Sequence, residues 1–302
     1  MTAGGKLTLG PLLFHWTAER RRDFYFQIAD EADLDCVYLG EVVCSKREPF
    51  FEPYIQTVID RLSAAGKQVV RSTLSMMTLD REVAAARALA QTGALVEAND
   101  VACLREVSGH PHVVGPYINV FNEGSCDVLL EGGAVRIVLP VEMTEKSVRV
   151  IAPRAPESEI LVFGRQPLAV AMRCYHARSH GLTKDSCQFV CGLDPDGLPA
   201  DTIDGQPLLT VNGTQTMSSG YLVLLYELAE LRAMGVTHFR LSPQDTDMVA
   251  VARIYRATLD GQSSARDAAT ELRRLTGTVP WQNGFLHGRE GLAWVNGEAA
   301  QA

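Results

Sequence analysis

The sequence predicts an α/β protein, a TIM-like (β/α)8 barrel with a cysteine-bearing insertion after strand seven. Three observations lead there. Short β-like runs alternate with helix-like stretches along the chain, which implies parallel pairing through crossover helices. Eight such runs occur in 302 residues, and a barrel of eight units takes roughly 250 residues. No GxGxxG opens a helix after the first run, so the competing open doubly wound sheet has little support.

The elements follow in order. "KLTLGPLLF" (Lys6 to Phe14) is the first strand region, with a helical pattern near Ala18 to Ala32 behind it. "CVYLGEVV" (Cys36 to Val43) precedes a helix near Pro53 to Ala65. "QVVRSTL" (Gln68 to Leu74) precedes "DREVAAARALAQTG", with Asp80 as its expected N-cap and Gly93 as its stop. "ALVEAND" leads to a short helix near Val101 to Val107, and "HVVGPYINVF" to one over Asn122 to Glu131. "AVRIVLP" precedes Thr144 to Ile151, and "EILVFGRQPLAVA" is strand seven. "HFRLSPQ", followed by "DTDMVAVARIYRATL", is strand eight.

About seventy residues separate strands seven and eight. Their Gly, Pro and Asp density reads as turns and short hairpins, followed by a long helix near Gly220 to Met234. The chain is therefore expected to be one barrel domain over residues 1–302, with residues 170–219 as an insertion.

In a barrel the C-terminal strand ends form the functional face. Polar residues gather there: Glu41 and Cys44, Glu97 and Asn99, Asn119 and Asn122, Glu142, Arg240 and Gln244. Some of them are expected only to cap helices, as Asn and Asp often do. Asn119 and Glu142 are the catalytic candidates.

Within the insertion, "RCYHARSHGLTKDSCQFVC" (Arg173 to Cys191) groups three of the chain's 7 cysteines, Cys174, Cys187 and Cys191. Such a group can pack a core, form a disulfide, bind zinc or hold an iron–sulfur cluster. A turn-rich loop lets thiolates converge, and both zinc and iron–sulfur centres want four ligands. Cys44 is the candidate fourth, because strand two ends on the same side as the loop leaving strand seven. His176 and His180 are its rivals. The spacing does not separate zinc from iron. Arg173, Arg178, Lys184, Lys46 and Arg47 lie beside these thiols in sequence, and cations lower a thiol's pKa. Cys36, Cys103 and Cys126 read as buried, structural cysteines.

The bulk numbers narrow the functions. Net charge is 28 − 36 = −8, which argues against a long nucleic-acid footprint, since that affinity comes mainly from Lys and Arg. No window approaches the ~20 apolar residues of a membrane span, and no export signal is visible. A cytoplasmic protein is expected, where disulfides are rare. There is no GxSxG elbow, HExxH or P-loop.

Three stretches carry a resemblance: "YLGEVVCSKR", "RCYHARSHGLTKDSCQFVC" and "NGTQTMS". "LTLGPLLFHW", "LPVEMT", "RLSPQ" and "QNGF" support it. The chain resembles peptidase family U32, and within it the UbiV branch, over nearly its whole length. The resemblance implies a TIM-like barrel with an oxygen-sensitive 4Fe-4S cluster on Cys44, Cys174, Cys187 and Cys191. It implies a heterodimer with a homologous UbiU-like subunit, and oxygen-independent hydroxylation of the ubiquinone ring with prephenate as hydroxyl donor. A sterol-carrier-like lipid accessory protein is the implied carrier of the ubiquinone precursor. Peptidase activity is not expected. The family pattern often has a further cysteine directly before the last ligand, where this chain has Val190.

Two other readings stay open: an RNA-base hydroxylase of the same family, which the charge disfavours, and a non-catalytic cluster-bearing partner. Because prephenate is a dicarboxylate, Arg173, Arg178 and Arg240 are the candidate substrate-binding residues. Phe24, Tyr25 and Phe26 are candidate partner contacts, with core packing as the alternative.

Overall fold

A computed structural model of the chain describes residues 4–295. Its barrel half runs β1 (Lys6–Leu9), α1 (Ala18–Glu31), β2 (Cys36–Gly40), α2 (Glu48–Ala64), β3 (Gln68–Ser72), α3 (Asp80–Ala90), β4 (Val96–Ala98), α4 (Val101–Val107) and β5 (His112–Val114). It continues through α5 (Glu123–Glu131), β6 (Ala134–Val138), α6 (Glu145–Ile151) and β7 (Glu157–Gly164). Next come β8 (Pro167–Val170), α7 (Tyr175–Ser179), β9 (Leu198–Asp201), β10 (Pro207–Asn212), β11 (Gln215–Ser218), β12 (Tyr221–Val223) and α8 (Leu228–Ala233). The chain closes with β13 (His238–Leu241), α9 (Met248–Leu259), α10 (Ala265–Thr276) and β14 (Trp281–Gln282).

Strands β1 to β7 pair in sequence order, all parallel, and β13 pairs in parallel with both β1 and β7. That closes an eight-stranded parallel barrel, the (β/α)8 fold expected. All eight strand regions are where the alternation placed them. Among the described residues, no helix is long and apolar enough to cross a membrane.

Period-two alternation divides the strands between two layers. Along β2, Val37 and Leu39 join the main core between strands and helices, while Cys36 and Tyr38 pack with Val70, Val113 and Val138 in a separate small cluster. The side chains of that second layer fill the barrel. They are joined there by buried charged groups: Arg136, Glu97, Glu159 and Arg240. Side-chain oxygens cap several helices: Thr17, Asp100, Asn122, Thr144, Asp247 and Ser264 accept from the N–H groups of their own first turns, a contact typically worth about 1 kcal/mol. Asn122 is thus a capping residue.

Four elements differ from expectation. Strand seven is two strands: β7 ends at Gly164, whose φ of 110° suits glycine, and β8 joins another sheet. The long helix expected over Gly220 to Met234 is instead β12 and the short α8. An unbroken apolar run reads equally as helix or buried strand, and antiparallel pairing of Leu222 with Gly164 decides for strand. Asp80 is the first helical residue, not the cap. The carboxylate of Glu82 reaches back to accept from the Thr78 and Leu79 N–H groups. Helix α10 and strand β14 follow the last expected element and were not foreseen.

The insertion contains a four-stranded antiparallel sheet in the order β8-β11-β10-β9. Arg165 ties it to the barrel, donating to the Ser218 carbonyl at 3.2 Å. From the other side, the Trp16 indole donates to the Pro195 carbonyl at 2.8 Å.

Candidate functional site

Cys44, Cys174, Cys187 and Cys191 line one cavity. Each arrives by a different device. Cys44 follows β2 in a loop held by Glu41, whose carboxylate accepts from the Val43 and Cys44 N–H groups at 3.0 and 3.1 Å. Glu41 is therefore a strut of that loop. Cys174 caps α7, and its sulfur accepts from the Ala177 N–H at 3.4 Å. Cys187 and Cys191 bracket a tight loop in which Gln188 and Phe189 both take left-handed backbone, with φ of 48° and 55°. Non-glycine residues in that region cost about 1–3 kcal/mol each and persist only where the surroundings impose them. All seven cysteines are free thiols, so no disulfide forms among the described residues.

The expectation that cations would lower these thiols' pKa values is corrected. Burial pushes the Cys44, Cys174 and Cys191 thiols up, and the nearby Arg47 offsets only part of the effect. The cations that line the cavity are Lys46, Arg47 and Lys184. Arg173 and Arg178 stand exposed on the insertion and are not in that lining. His176 and His180 are not in that lining either; His176 is buried with its Nε2 2.8 Å from Asp194, and His180 is exposed.

Arg47 is the hidden organiser. It is 3 % exposed and donates to the Leu13 carbonyl at 2.9 Å and to Asn212 Oδ1 at 3.1 Å. The turn between β10 and β11 wraps it. Gly213 there has φ 62°, and a Cβ at that position would stand 2.6 Å from Arg47 Nη2. Gly213→Ala is expected to destabilise the protein by roughly 1–3 kcal/mol through left-handed strain and this clash. A urea melt that matches the parent's would refute that.

The same turn reaches a second place. Thr214 lines the cysteine cavity and donates to the Val43 carbonyl at 2.9 Å. The next residue, Gln215, donates to the Tyr117 hydroxyl at 2.7 Å, at the barrel mouth. The mouth holds a cavity of about 250 Å3 lined by Tyr117, Asn119, Glu142 and strand β8. So Asn119 and Glu142 share one cavity. Asn119 is exposed there with a left-handed φ of 61°, and burial raises the Glu142 carboxyl above its ordinary value.

Arg240 lies deeper. Its Nε donates to Glu159 at 2.8 Å and its Nη2 is 2.8 Å from Glu97, both carboxylates being fully buried. The three candidate arginines thus share no cavity: Arg240 is in the barrel interior with its charge already matched, and Arg173 and Arg178 are on the insertion surface. Glu97 and Asn99 belong to the same interior network, through Ser72 and Thr73. Of the aromatic trio, Tyr25 is fully buried, its hydroxyl accepting from the Leu12 N–H, and Phe24 and Phe26 are half-buried against the core.

Sequence reasoning missed Tyr117 and the structural role of the Asn212–Gln215 turn. The only signal was "NGTQ", a turn sequence quoted for its resemblance but not for its position.

Among the described residues, no three His, Cys, Asp or Glu side chains converge tightly enough to hold a single metal ion. The four thiols that line one cavity are the donor set of a zinc site or of an iron–sulfur cluster, and the latter is the one the family resemblance implies. The donor set, its burial and the adjoining cations suit such a cluster. A cluster bound there would supply iron and electron-accepting chemistry. The chain's own residues would hold the thiolates in register and offset their charge.

The sequence model of peptidase family U32 matches residues 24–296. Among solved structures, a mutant tryptophan synthase alpha-subunit from the hyperthermophile Pyrococcus furiosus is similar at 9% identity and TM-score 0.32, covering 92% of this chain and 100% of that one. Tryptophan synthase subunit alpha from Campylobacter jejuni is similar at 8% identity and TM-score 0.31, covering 91% and 96%. The barrel assignment rests on the strand order above, not on these likenesses.

Proposed function

The chain belongs to peptidase family U32, and from that premise we propose that it is the iron–sulfur subunit of an oxygen-independent hydroxylase of the ubiquinone ring. In this reading it corresponds to the UbiV branch, pairs with a UbiU-like subunit, and takes its hydroxyl group from prephenate. A sterol-carrier-like protein presents the lipid precursor. It is not a working peptidase.

One observation carries the reading. Cys44, remote in sequence, lines the same cavity as the three clustered cysteines of the insertion. A structural role for these thiols gives no reason for that convergence, nor for a strained loop between Cys187 and Cys191. Arg47, Lys46 and Lys184 beside them suit the negative charge of four thiolates around iron. The open cavity at the barrel mouth favours a subunit that takes substrate over a purely structural partner.

The test is strictly anaerobic purification, alone and co-expressed with a UbiU-like partner, followed by iron, sulfide and zinc analysis and sizing. About four iron and four sulfide per chain are expected, with a one-to-one complex on co-expression. Ubiquinone made under anoxia should depend on the chain, and ubiquinone made in air should not. Stoichiometric zinc without iron, or an active iron-loaded monomer, would reject it.

A further inference from the structure

Between α2 and α3, over the end of β3, lies a cavity of about 200 Å3 that belongs neither to the cysteines nor to the barrel mouth. An engineered cavity of about 150 Å3 takes benzene, so this one has room for a molecule of that size or a little more. Phe51, Ile55, Leu74, Met77 and Leu89 give it apolar walls. Its charged lining is Glu41, Glu48, Glu52 and Glu82 with Arg21 and Arg71.

Half of these charges are committed. Glu41 accepts from the Val43 and Cys44 N–H groups and faces Arg21 Nη1 at 3.6 Å. Glu82 accepts from the Thr78 and Leu79 N–H groups and from the Ser45 hydroxyl. Arg21 donates to the Gly40 carbonyl at 2.7 Å and lies over the Phe51 ring. The other three are not committed. Arg71, at β3, is half-buried, and its Nε is sealed from solvent without a hydrogen-bond partner. Burial holds its guanidinium below the ordinary value, with only Glu52 opposing. Glu48 and Glu52 stand one turn apart on α2. Among the described residues, the side chains of Arg71, Glu48 and Glu52 make no hydrogen bond or ion pair. Opposite charges therefore line one cavity without meeting across it.

That arrangement selects a ligand. A half-buried guanidinium with a sealed donor is costly, and a carboxylate fits its fork. A simple anion would add negative charge to a lining that already holds more carboxylates than guanidiniums. A simple cation would leave Arg71 without a partner. A small molecule that carries both charges meets both needs.

We infer that this cavity is a binding site for a zwitterion, an amino acid with an apolar side chain. Its carboxylate lies on Arg71, its ammonium toward Glu48 and Glu52, and its side chain against the apolar walls. The inference does not depend on the hydroxylase reading. Through Glu41 and Glu82 the site backs onto the loop that carries Cys44.

The test uses L-leucine, 4-methylpentanoate, which lacks the amine, and 3-methylbutylamine, which lacks the carboxylate. Each is titrated by ligand-observed NMR against the anaerobically purified full chain. Leucine is expected to bind roughly ten-fold or more tightly than either analogue, as the loss of one charge-assisted hydrogen bond implies. Arg71→Met should weaken leucine binding roughly ten-fold or more and leave 3-methylbutylamine unchanged, a split that general damage to the fold would not give. Ala85→Trp, at an exposed position of α3 that lines the cavity, should abolish leucine binding. No leucine binding, either analogue bound as tightly as leucine, or unchanged leucine affinity in either variant would overturn the inference.

Discussion

Replacing any one of Cys44, Cys174, Cys187 or Cys191 by alanine is expected to strip the anaerobically purified protein of its iron and its visible absorption. The loss should be on the order of ten-fold or more, since even outer-shell changes at metal sites cost about 10–100-fold. The four thiols line one cavity, so each removal deletes a direct ligand in the proposed cluster. The other three cysteines supply the control. Cys36, Cys103 and Cys126 are buried elsewhere, and burial pushes the Cys36 thiol up to about 12 and the Cys103 thiol up to about 11. Their alanine variants should keep full iron and lose about 1 kcal/mol of stability, an ordinary effect of a single core change. Iron content measured across all seven variants decides the matter. Equal iron in both groups would sink the ligand assignment.

Arg240→Met should be the most damaging single change in the barrel, costing about 3–5 kcal/mol. It strands two fully buried carboxylates, Glu97 and Glu159, and breaking a buried pair from one side carries that cost. Arg240→Lys should recover little, because one ammonium cannot serve two carboxylates as the guanidinium fork does. The midpoint of urea unfolding measures both variants, and a loss under about 1 kcal/mol would contradict the account. Acid gives a second reading. Burial alone would raise the Glu159 carboxyl, but Arg240, Arg136 and His238 outweigh it and hold the group at about 2, below its ordinary 4.5. A carboxyl depressed on folding stabilises the protein above its unfolded value. That stability is lost as pH falls from about 4.5 toward 2. In the Arg240→Met variant the loss should begin at higher pH. Arg240→Gln is for the same reason a poor probe of substrate binding, since it disturbs the barrel floor before it disturbs any ligand.

Some of this protein was legible in its sequence because local rules determine it. The eight strand regions announced themselves through alternation and turn punctuation, which depend on near neighbours along the chain. The cysteines of the insertion stood out by spacing, and Cys44 by its position after the second strand. The resemblance added the four-ligand set, and the structure places those four thiols around one cavity. The misreadings also have local causes. The run "YLVLL" is apolar on every side, and its periodicity cannot distinguish a buried helix from a strand. Asp80 has a capping residue's chemistry, but the glutamate two positions on reached the free N–H groups instead.

Charge was where sequence proximity misled most. Arg173 and Arg178 flank a cysteine in the chain, yet both stand exposed outside the cavity lining. Arg240 had the look of a rim residue, and the barrel's inward-facing period turned it onto Glu97 and Glu159. Arg47 was one cation among several, until folding buried it between Leu13, Asn212 and the cysteine loop. The sequence by itself determined which elements form and which thiols are unusual, because backbone propensity and side-chain period act over a few residues. Only the tertiary structure decided which charges are spent on each other and which residues line the cysteine cavity. Those outcomes depend on desolvation and on contacts between residues far apart in the chain, and neither is written in any short stretch of it.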